Sequence, residues 1–82
     1  MFRLTNQPSI KVKSASDLTI VYKSTEDKVA FDICDFNGNL VKTGVLESNK
    51  TEVNLKDAKL GDYYLFILDG PHIHSKRFSI KL

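Results

Sequence analysis

Short runs of alternating hydrophobic and polar residues, separated by turn-forming residues, follow one another along this chain. The longest apolar run, residues 63–68 (YYLFIL), lies between Asp62 and Asp69, with Gly61 and Gly70 just beyond. A run this short, rich in aromatic and branched side chains and closed by glycines, is typical of a buried strand. Because side chains alternate faces along a strand, we expect this doubly apolar strand in the middle of a sheet, covered on both sides either by its own domain or by a partner.

The rest of the chain predicts an all-β fold. Strands that are short, about ten residues apart and separated by turn chemistry are expected of a seven-stranded antiparallel β-sandwich of the immunoglobulin-like kind. The connection at residues 56–60 has room for one helical turn. We expect residues 1–8 to form an N-terminal tail or edge segment and residues 9–82 to form one domain. The predicted strands are residues 9–13, 18–23, 29–34, 40–46, 51–55, 62–68 and 72–82.

Two local patterns predict specific turn chemistry. Asn37 and Gly38 form the strongest two-residue hairpin signal, because both can adopt the positive φ of a type I′ turn. Gly61-Asp62-Tyr63 fits a tyrosine corner, in which the hydroxyl at the start of a late core strand is tied back to nearby backbone. Tyr63 as an ordinary core residue is the alternative, and the sequence leaves both open.

Composition and charge exclude several function classes. With 41% hydrophobic and 27% charged residues, a folded domain is expected. Basic and acidic residues are interleaved and the net charge is +2, so we expect no nucleic-acid partner. Cys34 is the single cysteine, which rules out an intrachain disulfide. The chain opens without the apolar stretch of a secretory signal, and no run is long enough to span a membrane. We therefore expect a cytoplasmic or virion- or assembly-associated chain, unless the domain is excised from a longer exported protein.

Few residues suggest catalysis or metal binding. His72 and His74 share a face of the last strand and Asp69 lies nearby, but a zinc site needs four ligands, or three and a water. Cys34 could complete a metal site with these side chains only if the fold brought it beside them. Cys34 and a histidine could also act as a nucleophile and its base, under the same condition. Its position within a strand favours a small packing residue. We expect no catalytic residue, metal or cofactor.

The second face of the central strand is the candidate binding surface. If Tyr63, Leu65 and Ile67 pack between the sheets, the alternate residues point outward. Aromatic residues are enriched at interface cores, and exposed apolar patches mark interaction sites. The hypothesis is a protein-binding or self-association face beside Val21 or Val41; the alternative is that the lysine stems of residues 23 and 42 cover it. The residues predicted to bind the partner are Tyr64, Phe66 and Leu68.

Several segments resemble a known family when taken in order. Residues 31–44 (FDICDFNGNLVKTG) are similar to a "V-x-I-Y-D-x-N-G-K-L-V" hairpin, and residues 51–55, 61–65 and 76–82 to "T-x-I-D-L", "G-x-Y-x-L" and a terminal "K-K-F-x-x". Over residues 16–82 the chain thus resembles the immunoglobulin-like C-terminal sorting domains of the bacterial type IX secretion system. The resemblance implies an immunoglobulin-like domain that is recognised by the secretion machinery.

Two hypotheses about function follow. The family's usual opening "Y-P-N-P" is missing, with only Gln7-Pro8-Ser9 near that place, and the chain begins with methionine and carries no cargo. These departures favour a non-enzymatic structural or interaction module within a larger assembly, such as a virion, injection device or surface complex. The alternative is a C-terminal sorting domain that directs a cargo through type IX secretion.

Overall fold

The computed structural model describes residues 8–14, 16–23, 28–56 and 58–81, and all its regular elements are strands. Residues 1–7 of the predicted tail, and Leu82 at the end of the last predicted strand, lie outside this range. No helix among the described residues is long and apolar enough to cross a membrane. The strands are β1 (Ser9–Val12), β2 (Asp17–Val21), β3 (Val29–Asp35), β4 (Leu40–Leu46), β5 (Lys50–Asn54), β6 (Gly61–Asp69) and β7 (His72–Ile80).

The strands form two antiparallel sheets. One has three strands in the order β1-β2-β5, and the other has four in the order β4-β3-β6-β7. The chain moves from one sheet to the other after β2, β4 and β5, so that each sheet combines strands distant in sequence. The prediction of an all-β fold with seven antiparallel strands is confirmed.

A single hydrophobic core joins the sheets. Leu18 and Ile20 contribute to it from β2, and Ile33, Leu65 and Ile67 from the four-stranded sheet; all five are 0% exposed. Burying a side chain of this size contributes about 1.5–3 kcal/mol relative to leaving it in water. β6 lies between β3 and β7, as its apolar run predicts, but the domain covers only one of its faces fully, since Leu68 on the other face is 36% exposed.

Side chains that face the core follow the predicted alternation. Leu18, Ile20 and Tyr22 are buried, although Tyr22 lies one residue beyond the end of β2. Thr19, on the other face, is buried as well: it lies in the central strand between Lys11 and Glu52, and its hydroxyl bonds the Glu52 carboxylate at 3.1 Å. A hydrogen-bonded turn, in which the amide of Ala58 donates to the carbonyl of Leu55 at 3.0 Å, stands where the sequence left room for a helical turn.

The β3–β4 hairpin differs from the predicted two-residue type I′ turn. Four residues, 36–39, separate the two strands, and Asp35 closes the loop by donating its amide to the carbonyl of Asn39 at 2.9 Å, which encloses Phe36, Asn37 and Gly38. Gly38 lies at φ +87°, as in hairpins that end a turn with a left-handed glycine. The wider loop is favoured because the Asp35 carboxylate accepts the amides of Asn37 and Asn39, each at 2.9 Å.

Candidate recognition surface

The outward-facing residues of β6 lie on the side of the four-stranded sheet that is turned away from the core. Paired residues of antiparallel strands share a face, so the register determines which side chains surround them. We call this surface the outer face. Its three rows, each running from β4 to β7, are Val45, Ala30, Leu68 and Ile73; Thr43, Asp32, Phe66 and Ser75; and Leu40, Cys34, Tyr64 and Arg77.

Much of the outer face is apolar and open to solvent. Ile73 is 69% exposed, Leu40 58%, Val45 52% and Leu68 36%. Tyr64 and Phe66 are half-buried between their neighbours on β3 and β7. Soluble monomers rarely expose contiguous apolar surface of this kind, and such patches usually mark interaction sites.

The three-stranded sheet provides an internal comparison. Its own outward side carries Lys11, Lys13, Lys50 and Glu52, and Lys13 forms an ion pair of 3.2 Å with Glu52. Hydrogen bonds from Lys13 and Thr19 lower the pKa of the Glu52 carboxyl. One side of the molecule is therefore polar and the other apolar, although both sheets cover the same core.

The residues predicted to flank or cover the candidate surface lie elsewhere. Val21 belongs to β2 in the three-stranded sheet, and Lys23 follows that strand. Lys42 pairs with Ile33, whose side chain points to the core. Val41 is the extra residue of a β-bulge, where Ile33 and Cys34 pair with Lys42 and Leu40. These positions depend on strand order and on the bulge, and neither is visible in the alternation of residues.

The charged side chains on and beside the outer face have hydrogen-bond partners. Asp62 accepts hydrogen bonds from the Ser79 hydroxyl at 2.6 Å and from Arg77 Nη2 at 2.8 Å. These two bonds lower the pKa of the Asp62 carboxyl. Asp32 accepts a bond of 2.7 Å from the Thr43 hydroxyl. A partner that covered the outer face would therefore meet Arg77 and Asp62 as an ion pair, whereas the Asp32 carboxylate in the middle row keeps its negative charge.

The histidines do not assemble a metal site or a nucleophile–base pair. His72 lies opposite Asp69, and His74 lies opposite Ile67 with its ring 5.4 Å from that of Tyr22. Cys34 is on the outer face and thus on the opposite side of the sheet. Among the residues that the structure describes, no group of three or more histidine, cysteine, aspartate and glutamate side chains could hold a metal ion. The Asp69 carboxylate accepts a buried hydrogen bond of 2.6 Å from the Tyr22 hydroxyl, which links the two sheets.

Each segment that resembles the sorting domains contains a residue with a structural contact. In the hairpin the Asp35 carboxylate binds loop amides, and in the next segment the Thr51 hydroxyl accepts the amide of Glu47 at 3.1 Å. The Tyr63 hydroxyl bonds the backbone of Lys59, and its ring stacks on Phe78 at 5.5 Å. These contacts stabilise the hairpin, the connections and the pairing of β6 with β7.

An end pocket was missed by the sequence reasoning. It has a volume of about 310 Å³ and lies between the β3–β4 hairpin and the β5–β6 connection. Phe36 and Leu60, which line it, are 68% and 54% exposed. These segments are far apart in sequence, and their isolated apolar residues give no periodic signal.

Residues 14–81, which include six of the seven strands, match the family described as the secretion system C-terminal sorting domain. A search of curated proteins found none that matches the chain. The match favours the sorting domain over the virion or injection-device module, which neither the fold nor the comparisons support. Together with the order of its motifs and its all-β architecture, the match identifies the chain as a member of the type IX secretion C-terminal sorting domain family.

Proposed function

We propose that this domain directs a cargo protein through type IX secretion and acts without catalysis. The observation that carries the proposal is the family match across residues 14–81, which covers β2 to β7 and so most of both sheets. A signal of this kind has a folded surface for the secretion machinery to recognise. It needs no nucleophile, metal or cofactor.

We further infer that the two sheets form an immunoglobulin-like sandwich. In constant-type immunoglobulin domains the first, second and fifth strands share a sheet, and the third, sixth and seventh form the other. The orders β1-β2-β5 and β4-β3-β6-β7 share these groupings, but β4 lies at the edge of the second sheet, whereas the fourth strand of a constant-type domain belongs to the first. Tyr63 at the start of the sixth strand, with its hydroxyl bound to upstream backbone, supports the same assignment.

The surface that we propose for recognition is the outer face, centred on Tyr64, Phe66 and Leu68. Its exposed apolar residues contrast with the lysine-bearing outside of the three-stranded sheet. The proposed partner is a protein component of the secretion machinery, since an interface core is depleted in charge and enriched in aromatic residues.

A secreted reporter fused upstream of the domain tests the function. In a bacterium that has a type IX system, the fusion should reach the cell exterior, and in a mutant that lacks the system it should remain in the periplasm. Retention of the folded fusion in both strains would refute the proposal. Deleting residues 76–82 is a poor test, because it removes Phe78 and Ile80 from the core and would unfold the domain.

Point variants test the surface separately from the fold. Leu68→Ser with Ile73→Ser removes two exposed apolar side chains and should reduce export while the melting temperature stays near that of the parent. Val21→Ser is the matched control, because Val21 is 38% exposed against 36% for Leu68 but lies on the other sheet. If export survives the double variant, the outer face is not the recognition surface.

A further inference from the structure

The end pocket has the shape of a site for one apolar side chain. Val41, at the β-bulge, and Leu55 and Tyr63, from the core, line it together with Phe36 and Leu60 at its open side. Its volume of about 310 Å³ is at the lower limit of pockets that hold small ligands. It is therefore suited to a single aliphatic or aromatic anchor.

The bulge separates this pocket from the outer face. Leu40 pairs with Cys34 on the outer face, whereas the next residue, Val41, lines the pocket. In a regular strand the side chains alternate between the two sides with no extra residue, whereas here Val41 is inserted between the paired residues Leu40 and Lys42. The pocket and the outer face thus meet at the start of β4 but are lined by different side chains.

The charges of the pocket favour an acidic occupant. Asp35 and Asp62 line it, but the Asp35 carboxylate is bound by the hairpin amides and Asp62 is paired with Arg77. Hydrogen bonds from the hairpin, above all with Asn39, lower the pKa of Asp35. The acceptor oxygens of this carboxylate are therefore used within the loop. Lys56 and Lys59 also line the pocket, and neither forms an ion pair with a residue in the described ranges.

We propose that the end pocket binds a short acidic peptide segment of a partner protein, in which one bulky apolar residue is flanked by carboxylates. The apolar side chain enters between Phe36 and Leu60, and the carboxylates face Lys56 and Lys59. Under the proposed function, on which this identification of the partner rests, the segment belongs to a component of the secretion machinery. Binding of the peptide itself does not depend on that function.

A titration with three capped pentapeptides tests the pocket. One has leucine between two aspartates, one has leucine between two lysines, and one has alanine between two aspartates. We expect the first to shift amide resonances of residues 35–41 and 55–63 of the ¹⁵N-labelled full chain, with a Kd on the order of 1 mM or tighter. The other two should bind at least about threefold more weakly, because the lysine peptide loses its charge pairs with the pocket lysines and the alanine peptide loses the buried leucine side chain.

Matched variants separate the pocket from the rest of the surface. Leu60→Ser removes apolar surface from the pocket and Lys59→Glu reverses a charge, so each should weaken binding of the acidic leucine peptide about threefold or more. Leu40→Ser is the control for the first, because Leu40 is 58% exposed against 54% for Leu60 but lies on the outer face. Lys11→Glu, on the three-stranded sheet, is the control for the charge reversal.

Several results would overturn the inference. Equal binding of the three peptides, shifts confined to the outer face, or no saturation up to about 10 mM would do so. If sodium hexanoate binds the pocket and the acidic peptide does not, the site takes a small anionic amphiphile and the peptide proposal is wrong.

The export assay then separates the two proposals. Failure of the parent fusion to be exported refutes the sorting function whatever the peptides do. Normal export of a Leu60→Ser fusion that no longer binds the peptide refutes the pocket's role in recognition by the machinery, while the sorting function stands.

Discussion

The hydroxyl of Tyr63 donates a hydrogen bond of 2.6 Å to the carbonyl of Lys59 and accepts one of 3.1 Å from the amide of the same residue. Tyr63 is also 5% exposed, and its ring stacks on Phe78. The two interpretations that the sequence left open, a tyrosine corner and a core residue, are therefore both correct. The side chain closes the β5–β6 connection and holds one wall of the end pocket.

Tyr63→Phe should lower the free energy of unfolding by about 1–2 kcal/mol, because two backbone groups of Lys59 lose their partner. Urea denaturation measures the change. Tyr64→Phe is the control: its hydroxyl has no hydrogen bond to a described residue, and we expect a change below about 0.5 kcal/mol. Equal losses in the two variants would show that the corner does not stabilise the fold.

The two faces of β6 should differ in their response to truncation. Ile67 is 0% exposed, so Ile67→Ala leaves a cavity and should cost about 2–5 kcal/mol. Leu68, the next residue, is 36% exposed on the outer face, and Leu68→Ala should cost less than about 1 kcal/mol. Thermal or urea unfolding measures both. If Leu68→Ala also lowered the free energy of unfolding strongly, the outer face would already be packed against another surface in the purified protein.

Gly44→Ala should destabilise the domain through a collision with the core. A Cβ at this position would lie 2.9 Å from the Cε2 and Cζ atoms of Phe31, whose ring is buried against the other sheet. Because the ring cannot retreat without displacing its neighbours, we expect a loss of about 1–3 kcal/mol. Gly44→Ala in a Phe31→Leu background should show a smaller loss. An equal loss in both backgrounds would exclude this contact as the cause.

Alkaline conditions should weaken the fold through Tyr22. Burial, followed by the hydrogen bond to Asp69, raises the pKa of Tyr22 from 10.0 to about 12. The folded state thus favours the protonated phenol. The contribution of this phenol to the free energy of unfolding is therefore complete below pH 10 and is lost as the pH rises toward 12.

The expected result is a fall in the free energy of unfolding between pH 10 and about 12 that is steeper in the parent than in Tyr22→Phe. At neutral pH the same variant should lose about 1–3 kcal/mol, because the Asp69 carboxylate loses a buried donor. Urea denaturation across this pH range measures both effects. A parallel course of Tyr22→Phe and the parent would contradict the role of this bond.

The sequence by itself determined the strands and the face that each presents to the core. Ile10 and Val12 alternate with lysines, residues 63–68 are apolar throughout, and turn residues separate the runs. These are local properties, because the period of a strand and the conformational preferences of glycine and asparagine act over a few residues. The order of the motifs was sufficient to suggest the family as well.

Only the tertiary structure decided which strands are neighbours. The strand pairing created the outer face, because it places Leu68 beside Ala30 and Ile73, and Tyr64 beside Cys34 and Arg77. The same pairing left Val21 and Lys42 outside this face. The tertiary structure also placed Cys34 on the opposite side of the sheet from His74. It brought the β3–β4 hairpin close to residues 55–63, and the two segments form the end pocket. These relationships depend on contacts between segments far apart in sequence, to which hydrophobic alternation is insensitive, since the same pattern fits many strand orders.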